Sequence, residues 1–126
     1  MKYLLDTHSL IWAFGDDENL SPIVHEILKT KNEIYISIVS LWEIEIKKSI
    51  GKLNVPYSMT ELAEQCIKEQ VNILPLTPQI IDMIEKLPTI HKDPFDRIII
   101  CNALADDMTI ITRDEKIIQY DVKTLW

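Results

Sequence analysis

The apolar residues of this chain fall into short, largely apolar runs, and this pattern limits the folds open to it. The runs occupy residues 3–5, 34–36, 71–74 and 109–112, and residues 122–125 have a similar character. Short runs predict β-strands, and the near absence of polar alternation predicts strands that are buried on both faces. Strands of this kind are typical of parallel sheets.

The segments between the runs have the signals of helices. Ser21, Thr77 and Asp93 each precede a proline, the combination of an N-cap with proline in the first helical position. Helices are predicted over residues 8–14, 21–31, 39–50, 60–70, 77–87 and 93–105, and Gly51 should end the third. Strands that alternate with helices predict one α/β domain over residues 1–126, built on a mainly parallel sheet.

The charge of the chain restricts what it binds. The formal net charge is −7, whereas nucleic-acid binders usually carry basic patches that neutralise phosphates. This argues against tight, metal-free binding of a duplex. Bound divalent cations invert the local field, so metal-assisted chemistry on a phosphodiester stays open.

Other features indicate a cytoplasmic protein. Cys66 and Cys101 lie in apolar contexts without a CxxC pair, and we expect reduced core thiols. No apolar run is long enough to span a membrane. Lys2 and Asp6 place charge too early for a signal peptide.

Two aspartates follow strands of the predicted sheet. Asp6 comes directly after the first strand, and Asp114 lies just past the fourth. Ligands of open α/β sheets bind beyond the carboxyl ends of the strands, so both residues are candidates for one site. Each has an alternative role as the N-cap of the helix that follows it.

Two further acids are predicted to lie on helices. Asp96 falls in the first turn of a helix that Asp93 should cap, where the helix dipole favours a carboxylate. In the helix over residues 39–50, Val39, Trp42, Ile46 and Ile50 share one apolar stripe, and Glu43 lies at its edge. A pair with Lys47 is one explanation for Glu43, but a glutamate that points toward the core needs a partner.

Four carboxylates brought together would repel one another unless a cation lay between them. Oxygen ligands suit Mg²⁺ or Mn²⁺, and such ions promote displacement at phosphodiesters. The histidines show no zinc pattern: we expect His25 and His91 at the surface, and His8 near Asp6 is a candidate for phosphate contact. The candidate metal ligands and catalytic residues are Asp6, Glu43, Asp96 and Asp114.

The chain resembles the PIN-domain family, and within it the VapC-type toxins of bacterial toxin–antitoxin pairs. The matching segments are 3–8, 40–44, 91–97 and 111–114, in the family's order. The most specific is Asp93-Pro94-Phe95-Asp96-Arg97 followed by an apolar helix.

The resemblance implies a three-layer α/β/α sandwich and Mg²⁺-dependent cleavage of RNA. It places the family's acidic quartet on the same four acids and gives Thr112 a supporting hydroxyl. It also implies a homodimer and an antitoxin partner, and we expect the antitoxin to cover part of the apolar surface of Leu10, Ile11, Trp12 and Phe14.

Other α/β folds with acids at strand ends fit poorly. A receiver domain needs adjacent acids after the first strand and an aspartate after the third, but Leu4 and Leu5 precede a lone Asp6 and the third strand ends in Leu74-Pro75. A dehalogenase-like phosphatase needs a second aspartate at position 8, which is histidine. A non-catalytic module that only binds an antitoxin remains the alternative.

Overall fold

A five-stranded sheet forms the centre of the computed structural model, which describes residues 1–126. The strands are β1 (Lys2–Leu5), β2 (Glu33–Ser37), β3 (Val71–Leu74), β4 (Thr109–Ile111) and β5 (Thr124–Leu125). They lie in the order β3-β2-β1-β4-β5, and every neighbouring pair is parallel. The predicted α/β fold with a mainly parallel sheet is confirmed.

Seven helices connect and cover the strands. They are α1 (Thr7–Ala13), α2 (Pro22–Lys29), α3 (Ile38–Ser49), α4 (Met59–Lys68), α5 (Pro78–Met83), α6 (Pro94–Asp106) and α7 (Glu115–Ile118). Short 3₁₀ turns occupy Asp17–Asn19 and Ile84–Lys86. The second turn replaces the end of the helix predicted over 77–87, so α5 is shorter than expected.

The local signals at the helix ends are also confirmed. The side chains of Ser21, Thr77 and Asp93 each accept a hydrogen bond from a backbone amide in the first turn of the following helix. Gly51 follows α3 with a φ of 76°, a left-handed conformation that glycine adopts without steric cost.

The two faces of the sheet bury separate cores, which gives three layers. Leu5 and Ile36 pack on one face with apolar side chains of α1, α2, α3 and α4. Leu4 and Ile110 pack on the other face, mainly with α6 and α7. Cys66 and Cys101 are buried, unpaired thiols, and no helix combines the length and apolarity needed to cross a bilayer.

The apolar stripe predicted for α3 is wrong in part. Val39 is buried, but Trp42 and Ile50 are 57% and 59% exposed. The buried residues instead spread around the first half of α3, because this helix packs against α1 and α4 and also against α6. Trp42 lies outside the core and contacts Phe95 edge to face, with ring centroids 5.2 Å apart.

The order of the strands determines where a site can form. From β1 the chain proceeds to β2 and β3 on one side, then returns to place β4 on the other side of β1. Connections therefore leave β1 and β4 in opposite directions, which opens a crevice beyond their carboxyl ends. Asp6 and Asp114 follow these two strands.

Candidate active site

Asp6 lies at the carboxyl end of β1 and is almost fully buried. Its Oδ1 accepts a hydrogen bond from the amide of Ser9 at 2.8 Å, so it caps α1. Its Oδ2 accepts a hydrogen bond from the hydroxyl of Thr112. Asp6 is therefore both a cap and a member of the cluster at the sheet edge, so the two roles considered from the sequence coexist.

Thr112 connects two of the predicted acids. Its hydroxyl donates to Asp6 and accepts a hydrogen bond from the amide of Asp114 at 3.0 Å. The supporting role expected for this hydroxyl is consistent with these contacts.

Glu43 enters the same region from α3 and is only 4% exposed. Its Oε1 accepts a hydrogen bond from Thr7 Oγ1 at 2.7 Å, and its Oε2 lies 2.8 Å from Lys47 Nζ. The hydrogen bond to Glu43 raises the pKa of Lys47 despite its partial burial. The pair with Lys47 and the inward orientation of Glu43 are both present.

His91 brings Asp96 and Asp114 together. His91 Nε2 lies 2.9 Å from Asp96 Oδ2 and 3.2 Å from Asp114 Oδ2. Its Nδ1 accepts a hydrogen bond from the amide of Asp93, which places the proton of the neutral ring on Nε2. In this arrangement His91 offers a donor and no lone pair, so the carboxylates are the groups available to a cation.

The loop that carries His91 is fastened by Tyr120 and Arg97. The Tyr120 hydroxyl donates to Pro88 O at 2.7 Å and accepts from the amide of His91 at 2.8 Å. Arg97 donates to the carbonyl oxygens of Ile84, Pro88 and His91. The imidazole is thus held in place from the loop side.

Asp96 experiences the charge of the whole cluster. Burial is the largest cause that raises its pKa, and the nearby charges of Asp93, Glu43, Asp6 and Asp114 act in the same direction, so that the pKa reaches about 8. Repulsion of this kind favours either a proton or a cation at the site.

The other two aspartates are shifted in opposite directions. Burial raises the pKa of Asp6 by more than the hydrogen bonds from Ser9 and Thr112 lower it. Burial also acts to raise the pKa of Asp114, but hydrogen bonds from the Lys116 and Ile117 amides and from His91 leave it below its usual value. The site therefore combines acids with different proton affinities.

The donor set suits a divalent cation with oxygen ligands. Oxygens of Asp96 and Asp114 lie within 4.8 Å of each other and of His91 Nε2, which donates to them in the tautomer described above and is not itself a ligand. Asp6 and Glu43 approach from β1 and α3 but do not share this tight group. Carboxylate oxygens of this density suit Mg²⁺ or Mn²⁺.

Comparison with known protein families agrees with the geometry. The family model described as PIN domain matches residues 3–123. The chain belongs to the PIN-domain family. No curated protein matches this PIN domain in sequence.

Solved structures share the fold of this PIN domain. VapBC2 from Rickettsia felis, bound to a DNA fragment from its promoter, gives a TM-score of 0.73 at 18% identity, covering 99% of this chain and 98% of that chain. VapBC-1 from nontypeable Haemophilus influenzae gives 0.66 at 23% identity, covering 99% and 97%. FitAcB from Neisseria gonorrhoeae gives 0.63 at 19% identity, covering 98% and 96%.

The placement of His91 at the surface is wrong. Only 8% of this residue is exposed, because the Tyr120 and Arg97 contacts fold its loop over the start of α6. The sequence held one signal: His91 lies two residues before the N-cap Asp93, near enough for its ring nitrogen to accept a hydrogen bond from the Asp93 amide.

Asp96→Asn should stabilise the metal-free PIN domain at high pH. A carboxyl with a raised folded pKa contributes its full stability below its unfolded pKa of about 4 and loses it as the pH rises toward 8. Asparagine avoids this loss. In chelator at pH 8, calorimetry should show a melting temperature higher by about 3–5 °C, or roughly 1 kcal/mol, and no gain near pH 4.

Asp93→Ala is the matched comparison at the same helix start. It removes the acceptor for the Phe95 and Asp96 amides and should cost about 0.5–2 kcal/mol of stability. A lower melting temperature for Asp96→Asn at pH 8, beside an unchanged Asp93→Ala, would reverse the assigned roles of cap and repelled acid.

Proposed function

We propose that this PIN domain is a metal-dependent endoribonuclease of the VapC toxin type. The observation that carries the proposal is the tight group of Asp96 and Asp114 with His91 beyond the carboxyl ends of β1 and β4. Asp6 is linked to Asp114 through Thr112, and the charges of Asp6 and Glu43 act on Asp96. Without a cation, the carboxylates of such a cluster repel one another and destabilise the folded protein. With a bound divalent cation, the same cluster can assist cleavage of a phosphodiester. The four acids are the proposed ligands and catalytic residues.

The proposed ion is Mg²⁺ or Mn²⁺, which when bound supplies an activated water and stabilises charge on phosphate oxygens. The residues of the chain set the geometry. Thr112 orients Asp6, Thr7 orients Glu43, and His91 holds Asp96 close to Asp114. Side chains fixed by such outer contacts keep ligands in place for catalysis.

Purified protein should cleave single-stranded RNA in Mg²⁺ or Mn²⁺ and stop in excess chelator. Asp6→Asn and Asp114→Asn should each lower the cleavage rate by more than roughly 100-fold, because outer-shell changes alone typically cost 10–100-fold. The measurement is the rate of RNA cleavage by variants whose circular dichroism matches wild type. Asp121→Asn, at an exposed acid outside the cluster, is the control and should cleave normally.

Undiminished cleavage in chelator would refute metal dependence. A folded protein that cleaves no cellular RNA in either metal would instead favour the alternative, a non-catalytic PIN module that acts only as a partner of an antitoxin.

We propose an antitoxin partner, supported by a cleft between α1, α2 and α4. Of the apolar residues expected to face a partner, Leu10 is fully buried in the core, whereas Phe14 is partly exposed. Phe14 lines a cleft of about 460 Å³ together with Ala13 and Leu28. We expect an apolar segment of the antitoxin to occupy this cleft, and we expect the carboxylates beyond the strand ends to attract an arginine or lysine from the same partner, which would block the site.

Phe14→Ala should weaken binding of the small protein encoded by a neighbouring reading frame by about 30-fold, the scale of one aromatic hot spot. Calorimetric titration measures the affinity. Ile118→Ala removes an exposed apolar side chain on the other face and should bind normally. Equal affinities for the two variants would exclude this cleft.

A homodimer is the proposed state of the free protein, supported by the exposed apolar surface around Trp42. Ile38, Met59 and Ala63 border the same shallow groove. Such patches on a small domain mark interaction sites. The buried thiols of Cys66 and Cys101 are consistent with the cytoplasm, our proposed location.

Trp42→Glu should convert the dimer into a monomer, because a charge would be buried in the interface. Sedimentation velocity gives the answer, with Ile23→Glu, at an exposed residue of α2, as the control. A dimer that persists in Trp42→Glu places the interface elsewhere.

A further inference from the structure

The chain has two arginines, and they are used in opposite ways. Arg97 donates to three backbone carbonyl oxygens and to the Tyr120 hydroxyl, so its guanidinium is committed to structure. Arg113 is exposed, takes part in none of the salt bridges, and its side chain donates no hydrogen bond within the protein. Its donors are free for a ligand.

Arg113 is nevertheless held in a defined position. Its guanidinium carbon lies 5.7 Å from the centroid of the Trp12 ring and 5.8 Å from that of Trp126. The two indoles contact each other edge to face at 5.6 Å, and the ring of His8 lies 5.7 Å from Trp12. We call these four residues, His8, Trp12, Arg113 and Trp126, the Arg113 patch.

The Arg113 patch borders the carboxylate cluster. Arg113 stands between Thr112 and Asp114, both of which are fixed at the site by the Thr112 hydroxyl. His8 follows Asp6 by two residues on α1. The Arg113 patch therefore shares two backbone segments with Asp6 and Asp114, at the same edge of the sheet.

The chemistry of the Arg113 patch matches one class of ligand. A guanidinium with free N–H groups pairs with phosphate oxygens in bidentate fashion, which lysine does not reproduce. Indole faces stack on unpaired bases of any sequence, and arginine adds a cation–π contribution. Next to acids that repel phosphates, a pre-positioned cation gives a negatively charged strand a favourable point of entry.

We propose that the Arg113 patch binds single-stranded RNA beside the cleavage site. Arg113 contacts a backbone phosphate that flanks the scissile one, and Trp12 and Trp126 present indole surface to the adjacent base. This inference rests on the proposed ribonuclease function and adds the residues that position its substrate. Arg113 is a positioning residue and takes no part in bond cleavage.

Binding is tested apart from cleavage in the inactive Asp96→Asn background. The probe is a fluorescein-labelled pool of unstructured RNA oligonucleotides of random sequence, followed by anisotropy over a salt series in Mg²⁺. Adding Arg113→Gln should weaken binding by about tenfold and reduce the slope of log affinity against log salt by about 0.7, the value for one phosphate contact on a single strand.

Two variants separate charge from geometry and from bulk electrostatics. Arg113→Lys should keep the salt slope but lose affinity severalfold, since lysine does not stack flat or bind two oxygens. Lys31→Gln removes an exposed charge just before β2, at the amino ends of the strands and so away from the carboxylates. This variant should leave both the RNA affinity and the salt slope unchanged.

Cleavage by the otherwise wild-type protein is measured in parallel. With cleavage intact, Arg113→Gln should raise KM and leave kcat nearly unchanged. Unchanged RNA affinity and salt slope in Arg113→Gln overturn the inference and leave the nuclease assignment standing, whereas absence of both binding and cleavage in wild type removes both. If Arg113→Gln retains RNA but loses the neighbouring-gene product, the Arg113 patch is a protein-docking surface and the inference is wrong.

Discussion

Repulsion among carboxylates at one edge of the sheet is the constraint on which the rest of this site depends. Asp96 lies among four other acids, and its burial and their charges raise its pKa to about 8. A fold that assembles such a group must hold each carboxylate firmly, because the free energy of each would fall if it moved into water. The surrounding contacts of Thr112, Thr7, His91 and Lys47 supply that restraint.

Helix capping provides part of the same restraint. Asp6 and Asp114 each use Oδ1 to accept amides in the first turn of the next helix, while Oδ2 faces the cluster. Asp96 is fixed differently, because Asp93 accepts its amide and leaves its carboxylate free. The same residues thus both start helices and face the acidic cluster, which is why a capping interpretation and a ligand interpretation both fitted the sequence.

Much of the fold was predictable because its signals are local. Short apolar runs, Ser-Pro, Thr-Pro and Asp-Pro helix starts, and Gly51 all act within a few residues of where they stand. The failures involve contacts between distant segments. His91 is buried by Tyr120, which lies far along the chain. Trp42 is exposed because the elements that pack on α3 cover several other sides of this helix and not the single stripe that was predicted. Periodicity along one helix does not indicate how many neighbours that helix has. Strand topology predicted that Asp6 and Asp114 lie at one edge of the sheet, whereas the position of Arg113 beside two indoles had no signature in the spacing of residues.

The bond between Thr112 and Asp6 joins residues 106 positions apart, and the Tyr120 hydroxyl comes later still. Pairing of β1 with β4 is therefore among the most non-local events in folding this chain, and loop closure of that length delays such pairing. A nascent chain that has already formed β1, β2 and α3 lacks the partners that orient Asp6 and place Asp114. On the ribosome, where synthesis proceeds from the amino end, the acidic centre stays unassembled until β4 and the Tyr120 turn have emerged. The order of strands thus delays completion of the acidic centre until nearly the whole chain has been translated.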